Sequence, residues 1–462
     1  MAMVAGMLAC IVFPIIVARP EYGAYIILLA NPLIVGIARG QLGSVLRPNE
    51  FLIAFVLIAI CVQSVLLVLG QRRSYVSYDR VDTALLLLVA AGSVIPVLWR
   101  YARGLTLSED DLLYAVVLLK YYALFRVFRY AVTTRRQVEV CLILSIASAL
   151  TVAVIGVLQV SDLFGMPEFL LAYYDQPFEG HAAVMTERAT STVASAFGLA
   201  DLMIMNIIIV LAKSRVSQRY GLLFLVTIIL LAGCIAAGEF SGYVGLVVAL
   251  FAFGVISGRF HQLLPVGIVG GGLAALFLQR VIASRLEGFQ GQSGVPESWA
   301  GRWDNLQTYF FPDLFNHGNW FLGVRPAPRI LAFETWREWV YLESGYLWLL
   351  WIGGIPFLAA FFFFAVVSLR TLQHVARERT DAVGVAAVSA FSYLVAMIVT
   401  MLFDPHLTLR GSADLFFPLL ALSLVDSEAG ERRACVSELA SGAVEPAALI
   451  RNSLQSGAWV QR

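Results

Sequence analysis

Long apolar runs alternate with short polar breaks along most of the chain. A helix needs ~20 apolar residues to cross a bilayer core, with ~17 near the lower limit. About thirteen stretches meet or approach that length: 3–18, 22–38, 50–70, 81–99, 110–128, 138–161, 191–212, 220–237, 241–258, 262–279, 345–368, 382–403 and 411–426. The first two and the last are short. Polar connections at 162–190 and 280–344 interrupt the series, and 427–462 is a polar tail. The pattern predicts an all-α polytopic membrane protein of 12–13 transmembrane helices, with one large extracytoplasmic loop between the tenth and eleventh spans. Four parts follow. Residues 1–279 are N-terminal transmembrane helices with the outer loop 162–190. Residues 280–344 are the large loop, expected to be helical and catalytic. Residues 345–426 are C-terminal transmembrane helices, and 427–462 form a flexible cytoplasmic tail.

Local punctuation refines the map. Ser108-Glu109-Asp110-Asp111 fits a capping box opening the fifth span. Gly353, Gly354 and Pro356 should bend or loosen the span after the large loop. The start, MAMVAGMLACIVFPIIVARP, has no basic n-region and reads as a retained first span. Basic residues set the orientation. One set of short loops carries fifteen Lys and Arg, and the alternate set carries six. The richer set is expected in the cytoplasm, which places loops 162–190 and 280–344 outside. Thirteen spans put the N-terminus outside as well; a re-entrant first segment would reverse that end alone.

Composition sharpens the class. The chain is 60% hydrophobic and 14% charged, with mean hydropathy +0.81, against ~45–50% and ~25% in soluble domains. The net charge of +1 excludes a nucleic-acid binder that relies on a basic excess. There are 30 Arg but only two Lys, Lys120 and Lys213. Codon bias and a demand for planar phosphate grips both account for that ratio. The five cysteines and five histidines fall at no metal-ligand spacing. No P-loop, dinucleotide fingerprint, HExxH or GxSxG occurs. No metal and no cofactor are therefore expected. Lys120, Asp201 and Glu239 lie within or beside apolar spans, where an ionisable group serves either function or structural pairing.

The 280–344 loop is unlike the rest. It holds six Arg, seven acidic residues and five of the nine Trp. Trp beside a membrane can be an interfacial anchor. Together with Arg and carboxylates it also suits sugar and phosphate. Aromatic faces pack on sugar rings, guanidinium forks grip phosphate, and a carboxylate can take a hydroxyl proton.

Three short stretches recur in a meaningful order. Glu187-Arg188-Ala189-Thr190-Ser191-Thr192 opens a span after an outer loop. Gly301-Arg302-Trp303-Asp304 leads to Phe321-Leu322-Gly323-Val324-Arg325. Glu343-Ser344-Gly345-Tyr346-Leu347 leads into Trp351-Ile352-Gly353-Gly354-Ile355-Pro356. In this layout the chain, over roughly 45–425, resembles the O-antigen ligase and O-antigen/exopolysaccharide polymerase superfamily of bacterial inner membranes. The resemblance implies a metal-independent glycosyltransferase on the periplasmic face of the inner membrane. Polyprenyl-diphosphate-linked oligosaccharides would be donor and acceptor, in contact with membrane lipids, with a chain-length regulator and a flippase as protein partners. By similarity, Arg188 and Arg302 would hold the donor diphosphate. Ligases commonly carry His where this chain has Glu343, so Glu343-Ser344-Gly345-Tyr346 tilts the reading toward a polymerase, with Glu343 as general base. Its competing role is to cap the next helix or pair with Arg337. Arg325 replaces the second glycine of a Gly-x-Gly, as a phosphate or sugar contact or a turn variant. Arg280, Arg285 and Arg47, at outer span entrances, would meet either lipid diphosphate or headgroups. Trp303 and Tyr346 are candidate sugar platforms. The alternatives are a ligase transferring glycan to a lipid core, and, from a different class, a polysaccharide or lipid transporter.

Overall fold

The computed structural model describes residues 2–38, 47–70, 78–174, 188–214, 220–260, 297–332 and 339–425, with isolated positions between 263 and 283. Helices occupy twelve of the thirteen predicted stretches; the tenth, 262–279, lies largely outside the described residues. In order they are α1 (Ala2–Ala18), α2 (Glu21–Ile34), α3 (Pro48–Leu69), α4 (Arg80–Ala102), α5 (Glu109–Ala115), α6 (Val117–Ala131), α7 (Arg135–Val160), the short α8 (Met166–Tyr173), α9 (Ala196–Lys213), α10 (Tyr220–Ala236) and α11 (Phe240–Ser257). After them come α12 (Glu297–Asn305), α13 (Phe311–Phe315), α14 (Asn319–Leu322), α15 (Gly345–Glu378), α16 (Ala382–Thr400) and α17 (Ala413–Leu422). Seven of these, α3, α4, α7, α9, α11, α15 and α16, are long and apolar enough to cross a membrane. The protein is a membrane-embedded helical bundle.

α9 is the hub. Nearly every residue from Ala196 to Ala212 is buried, and α7, α10, α11 and α16 pack around it. α3 lies at the rim with most of its apolar surface outward, as expected where lipid replaces protein. The helix starts follow sequence logic. Asp79 accepts from the backbone N–H of Val81 and Asp82 to open α4. Ser108 Oγ accepts from Asp111 N at 3.2 Å while Asp111 accepts from Ser108 N, the reciprocal box expected there. The predicted 110–128 span differs in one respect: a turn at Val116 divides it into α5 and α6. α4 widens to a π-turn over Ala90–Val94, just before Pro96, which has no N–H to continue the α-ladder.

The expected bend in the helix after the large loop is a true break. Gly354 sits at φ 62°, ψ −154° inside α15, a region that side chains avoid. The segment around α14 packs into the break. Val324 N donates to Trp351 O at 2.7 Å, and Trp351 Nε1 donates to Ala327 O at 3.0 Å. The loop thus supplies partners for backbone groups that an unbroken helix would satisfy internally. Beyond it, β1 (Arg329–Leu331) pairs antiparallel with β2 (Trp339–Tyr341), with Ile330 opposite Val340. A helical loop was expected; its described part is helical with one short hairpin.

The bundle has two polar ends. At one, Arg126 pairs with Asp82, Arg129 with Asp79 (3.1 Å), Arg135 with Asp381 (3.2 Å) and Lys213 with Glu139 (3.0 Å). The other end carries the segment after α12 and a large cavity.

A Cβ at position 354 would come within 2.3 Å of Phe321 O. Gly354→Ala should therefore destabilise the fold by about 1–3 kcal/mol, read as a lower apparent melting temperature in detergent. Gly221→Ala, where an added Cβ meets open space, should leave that temperature unchanged or raise it.

Candidate active site

Arg188 is held by a tightly anchored turn. Gln159, at the end of α7, accepts from Thr190 N (3.0 Å) and Ser191 N (2.8 Å). Ala189 N donates to Ala236 O at 2.8 Å, and Thr192 Oγ1 donates to Pro32 O at 2.9 Å. Thr190, Ser191 and Thr192 are buried anchors, and they bring Arg188 onto Glu239 at the start of α11, where the two form an ion pair.

Arg302 projects from α12 between two carboxylates. Its Nε lies 2.5 Å from Glu343 Oε2, and its Nη2 lies 3.5 Å from Asp404 Oδ1. Glu343 precedes the start of α15, and its side chain meets Arg302; Arg337, the other partner considered, lies outside the described residues. Asp404 belongs to the turn 401–412 between α16 and α17 and is buried. Burial pushes its carboxyl above the usual range, against the opposing pull of Arg302 and His406. Behind it, His406 Nδ1 lies 2.7 Å from Asp201 Oδ2, which also accepts from Tyr393 OH at 2.8 Å. Burial alone would lower the His406 pKa. The adjoining Asp201 carboxylate outweighs burial, and the net direction is upward.

These groups frame a cavity of about 890 Å³. Its cations are Arg47, Lys120, Arg188, Arg302, Arg329 and Arg410, and its acids are Glu50, Asp110, Glu239, Glu343 and Asp404. One wall is apolar, with Ile53 and Leu57 from α3 and Leu113, Val116, Val117 and Leu119 around the α5–α6 turn. A charged chamber with an apolar side suits an amphiphile that has an anionic head and a hydrocarbon tail.

Of the residues singled out in the sequence, Arg47, Arg188, Arg302 and Glu343 line this chamber together. Lys120 does too, with Asp414 at 3.2 Å, and so does Glu239. Arg325, Trp303 and Tyr346 do not line it. Arg325 donates to Asp111 (3.0 Å) and Ser108 (3.2 Å), pinning the segment after α14 to the start of α5. Its partners make it an anchor for that segment. Trp303 is exposed, edge-on to Phe311 at 5.8 Å. Tyr346 OH donates to Ile398 O at 2.7 Å, and its ring stacks on Phe362. Asp201 is buried in the bundle beyond the chamber wall. Arg280 and Arg285 lie outside the described residues. Sequence reasoning missed Asp404 as a site residue. The signal was present: Asp404, His406 and Arg410 crowd one short turn on the same side as the 280–344 loop.

Among the described residues, no group of three His, Cys, Asp or Glu could hold a metal ion. No family model matches the chain, and no curated protein matches it.

The buried histidine predicts a pH response. A raised pKa in the fold contributes stability that is full below the unfolded value and is lost as pH rises through the folded value. The Asp201–His406 pair should stabilise the fold most below the ordinary histidine value of 6.5 and progressively less above it. Melting temperatures of wild type and His406→Gln across that range check this. The variant should lose the decline, and an unchanged decline would assign it to another group.

Proposed function

We propose that the chain is a glycan polymerase working at the extracytoplasmic face of a bacterial inner membrane. It would transfer a polyprenyl-diphosphate-linked chain onto a lipid-linked repeat unit in O-antigen or exopolysaccharide assembly. The observation that carries this reading is the convergence of Arg47, Arg188, Arg302 and Glu343, far apart in sequence, on one chamber with an apolar wall.

The roles follow from the chemistry. The Glu343 carboxylate takes the proton of the acceptor hydroxyl. The hydroxyl oxygen attacks the anomeric carbon of the donor, and the bond from that carbon to the diphosphate oxygen breaks. The electron pair leaves on the diphosphate, where charge develops and where Arg188 and Arg302 are most useful. Attack opposite the leaving group inverts the anomeric centre. Within the chamber Arg188 is paired with Glu239, and Arg302 with Glu343. An incoming diphosphate competes for both guanidiniums. Drawing Arg302 away releases Glu343 next to the reacting centre. A ligase would share the donor half of this scheme and differ in acceptor.

Glu343→Gln and Arg302→Ala, assayed with purified lipid-linked substrate, should each lower transfer by at least about 100-fold, the lower end for loss of a general base or an oxyanion contact. Full activity at normal expression would remove that residue from its role. Cells without the protein should accumulate single repeat units on the polyprenyl carrier; accumulation of long chains there would identify a ligase instead.

A further inference from the structure

Ion pairs join many of the chamber's charges among the described residues. Arg188 meets Glu239, Arg302 meets Glu343 and Asp404, Arg329 meets Asp110, and Lys120 meets Asp414. Arg410 lines the same chamber, and its guanidinium has no hydrogen-bond or ion-pair partner among the described residues. Its Nη1 is sealed from solvent. A guanidinium nitrogen sealed from water without an acceptor is costly, and an anion from outside removes that cost.

Arg410 is rigidly placed. A Cβ at Gly198, on α9, would lie 2.4 Å from Arg410 O, so the two backbones are in close contact. Two residues earlier in the turn, Thr408 O accepts from Tyr121 OH at 3.2 Å, and Lys120 Nζ lies 4.2 Å over the Tyr121 ring. Lys120 and Arg410 therefore belong to one wall, made by α6 and the turn 401–412. That wall adjoins the apolar α3–α6 seam, where Val116 and Leu119 remain about half exposed. The first anionic position takes Arg188 from the turn before α9, where it meets Glu239 at the start of α11, and Arg302 from α12. α11 packs on α9 and α16, whereas α3 packs on α1, α2 and α6.

We infer that Lys120 and Arg410 form a second phosphate subsite, which holds the diphosphate of the lipid-linked acceptor with its prenyl tail along the α3–α6 seam. This rests on the glycan-transfer reading above. It makes the acceptor, like the donor, a prenyl diphosphate. The same phosphate chemistry is offered by a phospholipid headgroup, and the test separates the two.

The full chain in phosphatidylcholine nanodiscs is titrated with farnesyl diphosphate, and the number of sites is read by calorimetry. Wild type should bind two. Arg410→Ala should keep one at wild-type affinity and weaken the other at least about tenfold, as for loss of a charge-assisted phosphate contact. The retained site reports that the variant is folded. Arg302→Ala should also keep one, and the double variant none. Two full sites in Arg410→Ala, or one in wild type, would overturn the second subsite. Loss of a site in Arg410→Ala with both intact in Arg302→Ala would support the second subsite and overturn the donor assignment. Inorganic pyrophosphate binding there as tightly as farnesyl diphosphate would overturn the tail placement. Abolition of the Arg410-dependent site in phosphatidylglycerol nanodiscs would identify a headgroup site and overturn the acceptor assignment.

Discussion

A charge inside an apolar bundle must find its counter-charge within a few ångströms, and most of this architecture follows from that requirement. The segment from α12 to β2 seats Phe310, Leu314 and Val340 in the core, but its polar side needs partners of its own. It is held by ion pairs: Arg325 to Asp111, Arg329 to Asp110, and Arg302 to both Glu343 and Asp404. Each links a long connection to a helix start or a turn. At the opposite end, Arg129 reaches Asp79 and the carbonyl of Leu424, tying α6 to both α4 and the end of α17. The charges named here are joints between distant parts of the chain.

The backbone obeys the same rule. Breaking α15 at Gly354 leaves peptide groups that lipid cannot satisfy. The chain around α14 brings its own N–H and C=O groups to the break, so the discontinuity becomes a docking point. Gly323, at φ 93°, makes the close approach to Ile352 O that this requires. The loop and the helix therefore place Arg302 and Glu343 relative to one another, and the salt bridge between them is a product of backbone fit as much as of charge.

Much of this was legible in the sequence. Apolar length located the helices, because bilayer thickness sets it directly. The Ser108 box and the Gly353-Gly354-Pro356 break were readable because capping and helix rupture are local. Arg188, Arg302 and Glu343 stood out through the three short stretches that carry the family resemblance. What could not be read was long-range. Nothing near Arg325 says that its partner is Asp111, more than two hundred residues earlier. Nor does anything near Tyr346 say that its hydroxyl meets the carbonyl of Ile398. Asp404 was overlooked because it falls just past the 382–403 run, in a short connection that matches no motif. The division of 110–128 at Val116 leaves no mark in hydropathy, since both halves are apolar.

The chamber draws on residues from Arg47 to Arg410, nearly the whole described chain. Helices enter a membrane in the order of their synthesis. Until the turn carrying Asp404 and Arg410 has emerged, Arg302 has only one of its two carboxylates and the wall beside Lys120 is missing. The site is completed among the last events of biogenesis. A prematurely terminated chain can carry most of the helices and still lack the chamber.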